Sequence, residues 1–207
     1  MIRPVVLFAL TAAALCATSR LSAQGTRFGI AYGTSLVGGG DSRVLVPVSD
    51  SFNVTGASQS GYHFRAFLET PLGSPSFAFR TELFYNKLHS KPNSYAIVGR
   101  GVGTAALTDR TFGLTGTFVA TFSPRARVSP YFLLGAGFFG SELGTNPDPT
   151  SSQVVITQRG MGLGLQTGLG LRFRVAKTDL LLEWRFAQAF NNTRGATFMP
   201  LTFGVKF

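Results

Sequence analysis

Charged residues stand at alternate positions of several apolar segments, a placement that suits ion pairing inside a narrow, enclosed space. These residues are Arg65, Glu69, Arg80, Glu82, Arg172, Arg174, Glu183 and Arg185. A buried charge is costly alone but acceptable when it is paired and hydrogen-bonded. One antiparallel register of residues 61–70 with residues 77–88 would place Arg65 opposite Glu82. A register shifted by two residues would instead place Glu69 opposite Arg80, so both registers bring opposite charges together.

Nucleophilic catalysis has one weak candidate in this sequence. A site of this kind needs a nucleophile, a base and an orienting group within hydrogen-bond reach. His89 and Ser90 are adjacent at the start of a long connection, Glu82 lies in the segment before them, and His63 is the other histidine. Neither histidine lies in a recognisable lipid-deacylase motif, and a neighbouring His and Ser are more often a solvated pair. We therefore predict no catalytic site and no enzyme activity.

Metal and cofactor binding are not indicated either. No Cys/His cluster and no group of acidic residues has the spacing of metal ligands. The glycines of residues 162–170 alternate with apolar residues, which is typical of a strand, whereas a dinucleotide-binding loop would lead into a helix. The sequence predicts no cofactor and no metal.

Eight segments alternate apolar residues with small or polar ones. They are residues 26–36, 61–70, 77–88, 111–122, 131–139, 161–174, 180–190 and 199–207. A period of two is that of a β-strand whose two faces meet different surroundings. A helix is excluded because the apolar positions are not three or four apart and glycine is too frequent. The apolar face is expected to point outward, with the charged residues and glycines inside.

The segment of residues 131–139 is apolar on both faces, so its orientation is ambiguous. We favour the arrangement in which Phe132, Leu134, Ala136 and Phe138 point outward. This arrangement turns Gly135 and Gly137 inward, as glycines are in the other segments.

The spacing of the segments predicts an all-β, eight-stranded antiparallel up-and-down transmembrane β-barrel. Segments of about 9–11 residues suit a tilted membrane crossing, and no continuous run of about 20 apolar residues follows residue 23. Long connections (37–60, 89–110 and 140–160) alternate with short ones (71–76, 123–130 and 175–179), and 191–197 is a short member of the first set. An interior of eight strands is usually filled by side chains. The charged network is therefore expected to be a structural plug rather than the gate of a pore.

The first 23 residues have the layout of a cleaved secretory signal. Arg3 precedes an apolar core at residues 5–16, and Ala23 is the expected cleavage position. The one cysteine, Cys16, lies within this segment, so the barrel domain of residues 24–207 would have no disulfide and would depend on barrel closure for stability.

Aromatic and basic residues predict contacts with a lipid surface. Rings suited to the headgroup level are Tyr32, Tyr62, Tyr85, Tyr131 and Trp184. Basic residues near the short connections are Arg27, Arg125, Arg127, Arg172, Arg174, Lys177 and Lys206, and those toward the long ones are Arg43, Lys87, Lys91, Arg110, Arg159 and Arg194. The net charge of +10 is scattered along the chain, which favours lipid headgroups over nucleic acid as its partner. Ordinary solvated charge is the alternative for each set.

Two motifs carry a resemblance to a known family. Residues 128–137 resemble the Pro-Tyr-Gly-x-Gly strand of small outer-membrane barrels, and residues 200–207 resemble their C-terminal insertion signal. The whole chain after residue 23 resembles the eight-stranded OmpA/OmpX-like and opacity-protein-like barrels. The resemblance implies that the barrel-assembly machinery reads Phe203, Val205 and Phe207. Pro200 departs from a regular strand and is expected to mark its outer start or a bulge.

These features together predict a bacterial outer-membrane protein with a structural or surface-interaction role. It would be a monomer, with outer-membrane lipids around it and a surface ligand on its long loops. An apolar-rich stretch at residues 44–48 of the first loop would bind a partner or extend the strands. The alternatives are a narrow conduit for small solutes, a lipid-modifying enzyme, and a soluble barrel whose apolar face would point inward.

Overall fold

The computed structural model describes residues 25–37, 42–45, 51–54, 59–90, 93–97, 101–147, 157–191 and 196–207. The strands in these ranges are β1 Arg27–Val37, β2 Ser42–Leu45, β3 Ser51–Val54, β4 Gln59–Pro71, β5 Phe77–Ser90, β6 Asn93–Ile97, β7 Gly101–Thr121, β8 Val128–Pro147, β9 Thr157–Val175, β10 Thr178–Asn191 and β11 Ala196–Lys206. No helix within these ranges is long and apolar enough to cross a membrane. The predicted signal segment, residues 1–23, lies outside the described residues.

Eight of these strands close into a barrel. Each pairs antiparallel with its neighbours in the order β1, β4, β5, β7, β8, β9, β10 and β11. The ring closes where β11 returns to β1, with Phe203 opposite Tyr32. Between β4 and β5 the register places Glu69 opposite Arg80, which is the second of the two registers considered from the sequence. The predicted eight-stranded antiparallel up-and-down barrel is confirmed.

The apolar side chains of the barrel point outward. Phe138 is 65% exposed and Leu163 is 61% exposed, whereas Leu133, which neighbours Leu134 on the opposite face of β8, is fully buried. The favoured orientation of residues 131–139 is therefore correct, with Phe132, Leu134 and Phe138 on the outer wall. A soluble barrel that binds a ligand inside would have the reverse arrangement.

The strands on one side of the barrel are longer than the sequence predicted. β7 begins at Gly101 and β8 continues to Pro147, so most of the two expected loops at 89–110 and 140–160 is paired strand. Within the expected loop 37–60, β2 pairs with β3, and Val44 lies opposite Phe52. Ladder pairing beyond the apolar wall satisfies backbone groups that a loose loop would leave to solvent.

Pro200 lies within β11 and marks neither its start nor a bulge. The pairing of β10 with β11 has the same register on both sides of it, with Trp184 opposite Leu201 and Ala187 opposite Phe198. Only the ladder positions of Met199 and Pro200 are missing. Proline has no N–H to donate, so the ladder is interrupted there without a change of register.

Aromatic rings inside the barrel lie flat against glycines of the adjacent strand. Phe139 on β8 covers Gly164 on β9, and Tyr131 covers Gly170 in the same way. A Cβ atom at Gly164 would overlap the ring of Phe139. The alternating glycines are therefore where the wall makes room for large interior side chains.

Substituting Gly164→Val is expected to lower the free energy of unfolding by about 1–3 kcal/mol, because it overpacks this contact. Gly144→Val is the matched control, since a Cβ atom at Gly144 on β8 would meet no atom within 4 Å. Urea unfolding in detergent micelles, followed by the fluorescence of Trp184, measures both. Equal effects of the two substitutions would contradict this account of the glycines.

Candidate functional site

Glu183 is the centre of the interior ion pairs. It lies on β10, is fully buried, and accepts hydrogen bonds on both carboxylate oxygens. Arg80 Nη1 donates to Oε1 at 2.8 Å and Tyr131 Oη donates to the same oxygen at 2.5 Å. Arg185 Nη2 donates to Oε2 at 2.7 Å, and Arg65 forms an ion pair with that oxygen. Three arginines from three strands thus converge on one carboxylate.

Arg185 joins Glu183 to a second buried carboxylate. Its Nη1 and Nη2 donate to the two oxygens of Glu82 at 2.6 and 2.9 Å, and its Nε donates to Glu183 at 2.9 Å. Gln166 Nε2 lies 3.1 Å from Glu82 and 2.6 Å from Thr117 Oγ1. The bidentate geometry between Arg185 and Glu82 is the strong form of an arginine–carboxylate contact.

A third carboxylate extends the network toward the short turns. Arg80 donates from Nε and Nη2 to Glu69 at 2.9 and 2.6 Å. Lys206 Nζ lies 2.7 Å from Glu69 and 3.1 Å from Asp179. Asp179 also pairs with Arg27 at 2.6 Å. The interior charges are therefore linked from the middle of the barrel to its rim.

Apolar layers lie on both sides of the central ion pairs. Toward the short turns, buried apolar side chains form the layer Phe67, Val119, Tyr131, Leu133 and Leu181. Toward the long loops, the layer is Phe84, Leu88, Phe139, Ala187, Ala189, Ala196 and Phe198. The Arg80 guanidinium lies 4.3 Å from the centre of the Phe67 ring. The charges are thereby held in a dry interior, where paired ions are strong and unpaired ones are costly.

The structure places the eight charged residues singled out in the sequence as follows. Six of them share the network of buried ion pairs, namely Arg65, Glu69, Arg80, Glu82, Glu183 and Arg185. Arg172 is buried but donates to the carbonyl of Pro124 at 2.8 Å. Arg174 does not lie in the lumen: its side chain is 42% exposed and donates to the same carbonyl at 2.8 Å. It is the next-to-last residue of β9, beyond the last filled layer, so its long side chain reaches the rim.

The sequence analysis predicted lipid contacts for two residues that the structure places in the interior network. Tyr131 was expected at the lipid interface but is buried and donates to Glu183. Lys206 was expected to meet lipid phosphates but is buried against Glu69 and Asp179. The alternation of inward and outward residues along each strand indicates the interior position of both residues. Tyr131 alternates with the outward Phe132, and Lys206 stands between two outward residues.

The residues considered for catalysis do not come together. Glu82 is buried in the interior, whereas His89 is exposed and its Nδ1 lies 3.3 Å from Thr108 Oγ1. The two residues are seven steps apart along an extended strand, a distance of about 23 Å. His63 is buried against the Phe84 ring, and its Nδ1 lies 3.4 Å from Asn86 Oδ1. Among the described residues, no three His, Cys, Asp or Glu side chains group as metal ligands.

The residues of the expected assembly signal lie on the outer face of β11. Phe203 and Phe207 are exposed there, and Val205 is half-buried. The amide of Phe207 donates to the carbonyl of Phe28 at 2.8 Å, which joins the end of β11 to β1.

A closed antiparallel barrel with an apolar outer wall and ion pairs inside defines the class: the chain has the fold of small eight-stranded outer-membrane β-barrels. Among solved structures it is similar to Neisserial surface protein A, with 16% identity, a TM-score of 0.50, and 88% of this chain and 97% of that chain covered. It is also similar to Ail, the attachment invasion locus protein of Yersinia pestis, with 15% identity, a TM-score of 0.47 and the same coverage. No protein-family model and no curated protein matches the sequence. The predicted resemblance is confirmed as a likeness of fold.

Proposed function

We propose that this protein is an integral outer-membrane barrel with a closed interior, which serves as a rigid scaffold for surface loops. The observation that carries this proposal is that the apolar side chains lie on the outside of the barrel and the charged ones on the inside. Phe138, Leu163 and Trp184 are exposed around the outside while charged side chains fill the centre. A continuous apolar wall of this kind is stable in acyl chains and aggregates in water.

Aromatic contacts support a membrane boundary on the long-loop side. Tyr32, Tyr62 and Tyr85 lie side by side on β1, β4 and β5, with ring centres 6.3 and 6.1 Å apart. Tyrosines favour the headgroup level, where the ring is half apolar and the hydroxyl is hydrated. Beyond this row β7 and β8 continue as a paired ladder, which would project from the cell surface.

Closure of the interior supports a scaffold over a conduit for solutes. The central arginines and glutamates are all buried, and aromatic layers cover them on both sides. Bilayer recordings of the purified protein should therefore show no conductance steps. Steps that Arg185→Gln alters would contradict the closed interior and favour the gated pore.

The membrane location and the surface role have separate tests. The folded barrel should migrate differently on a denaturing gel before and after boiling, as detergent-resistant barrels do. Replacing residues 38–58 by a short Gly/Ser turn should preserve this shift, because the eight-stranded ring does not include them.

Cells displaying the variant should lose binding to matrix proteins or glycans that cells displaying the native chain retain. Equal binding by both would contradict a role for the first loop.

Assembly and surroundings complete the proposal. Phe203, Val205 and Phe207 on β11 would be read by the barrel-assembly machinery, and lipids would surround a monomeric barrel. An enzyme activity is not part of the proposal. Glu82 belongs to the interior ion pairs, whereas His89 is exposed.

A further inference from the structure

Two short turns at one rim of the barrel are joined into one basic surface. The turn from β7 to β8 spans residues 122–127, and the turn from β9 to β10 spans residues 176–177. Arg172 and Arg174 both donate to the carbonyl of Pro124 at 2.8 Å, and the amide of Arg174 donates to the carbonyl of Arg127 at 2.8 Å. The two turns are thus held side by side.

The exposed cations within the two turns are not neutralised by the protein. Arg125, Arg127 and Lys177 are exposed, and among the described residues no carboxylate pairs with any of them. The nearby carboxylates are buried and already paired. Glu69 pairs with Arg80 and Lys206, whereas Asp179 pairs with Lys206, with Arg27 and, at 3.9 Å, with Arg174. A positive patch therefore remains for a ligand from outside the chain.

The same surface continues into the apolar wall. Phe122, Val128 and Val175 are exposed on the outside of the barrel directly beside the basic turns. A ligand that matches both parts must have an anionic group immediately next to hydrocarbon. A phospholipid headgroup has this chemistry, whereas an acidic soluble protein would match only the charge.

We propose that the basic surface of Arg125, Arg127 and Lys177 binds anionic phospholipid headgroups of the leaflet at the short-turn rim. Guanidinium groups hold phosphate oxygens in bidentate fashion, and the acyl chains lie along β7 to β10. The third short turn, residues 72–76, has no charged residue, so the bound lipid is confined to one side of the barrel. This inference rests on the proposed membrane location.

The single tryptophan of the chain gives a direct test. Trp184 is exposed on the outer wall of β10, the strand that begins at one of the two basic turns. Lipids with brominated acyl chains quench a tryptophan that they contact. The purified full chain is reconstituted in nanodiscs of phosphatidylcholine and phosphatidylglycerol, and one or the other lipid is brominated. Competition between the two gives the relative binding constant of phosphatidylglycerol beside Trp184.

We expect this constant to favour phosphatidylglycerol about fivefold at low salt, and to approach one in 1 M salt. The variant Arg125→Gln/Arg127→Gln/Lys177→Gln should also give about one. The matched control is Lys87→Gln/Arg110→Gln/Arg159→Gln, which removes three charges at the opposite rim and should retain the preference. All three chains must show boiling-dependent migration before they are compared.

The outcomes separate this inference from the proposed function. Equal quenching by both lipids in the native chain, or a preference retained by the first variant, would overturn the lipid site while leaving the membrane barrel intact. Trp184 fluorescence that neither brominated lipid quenches would instead contradict the membrane location itself.

Discussion

Replacing Glu183 by glutamine is expected to lower the free energy of unfolding by about 3–5 kcal/mol, the largest effect of any single substitution in the interior. Arg65, Arg80 and Arg185 all pair with this carboxylate. Glutamine has nearly the same volume but no charge, so three guanidinium groups lose their shared counter-charge in a dry interior. Urea titration in micelles, followed by Trp184 fluorescence, measures the loss.

Glu142→Gln is the matched control for this prediction. Glu142 pairs at 3.3 Å with Arg159, whose side chain is 75% exposed. Exposed ion pairs contribute at most about 1 kcal/mol, so this variant should unfold close to the native midpoint. A loss at Glu183 no larger than the loss at Glu142 would show that the interior is hydrated, and the closed-lumen interpretation would fail.

The orientation of the strands followed from the sequence because it depends on each strand alone. Lipid-facing and interior residues alternate with a period of two, and Met161, Leu163 and Leu165 on β9 show this without any knowledge of their neighbours. Gly101 to Thr108 on β7 could not be recognised in this way. That part of the strand lies beyond the apolar wall, so its two faces do not differ enough to produce an alternation.

The register between neighbouring strands was harder to predict from the sequence than their orientation. Glu69 opposite Arg80 and Arg65 opposite Glu82 were equally favourable in charge, so sequence could not choose between them. The choice comes from the turn, where Gly73 has a φ of 69° and the amide of Leu72 donates to the carbonyl of Phe77. A positive φ of this size favours glycine. The glycine indicated a turn but did not fix its length.

Contacts across the lumen could not be predicted at all. Arg80 on β5 reaches Glu183 on β10, and these strands are not neighbours in the sheet. Such a contact depends on the tilt of the strands and on how far each side chain extends. The alternation gave the set of inward residues except for Arg174, which reaches the rim. The same alternation places Tyr131 and Lys206 on the inner face, although the sequence analysis assigned both to lipid contacts.

Substituting Leu134→Arg is expected to lower the free energy of unfolding from lipid bilayers by about 2–4 kcal/mol. Leu134 is 55% exposed and lies in the apolar part of β8, midway between Val128 and Gly140. In a water-soluble protein an exposed leucine at a strand surface tolerates arginine with a change of about 0.5 kcal/mol or less. The cost at Leu134 arises only if the surroundings of this side chain are acyl chains, from which the guanidinium cannot reach water.

Leu72→Arg tests whether the surroundings, rather than the substitution, cause the loss. Leu72 is 48% exposed, close to the value for Leu134, but lies in a short turn at the rim beyond the apolar wall. Reversible unfolding of both variants in bilayers should show a loss at Leu134 and little change at Leu72. Two small changes would mean that the outer wall meets water, and the exposed phenylalanines and leucines would then need a protein partner to cover them. Because the two leucines differ in depth and hardly in exposure, the difference between their unfolding free energies measures the lipid contact itself.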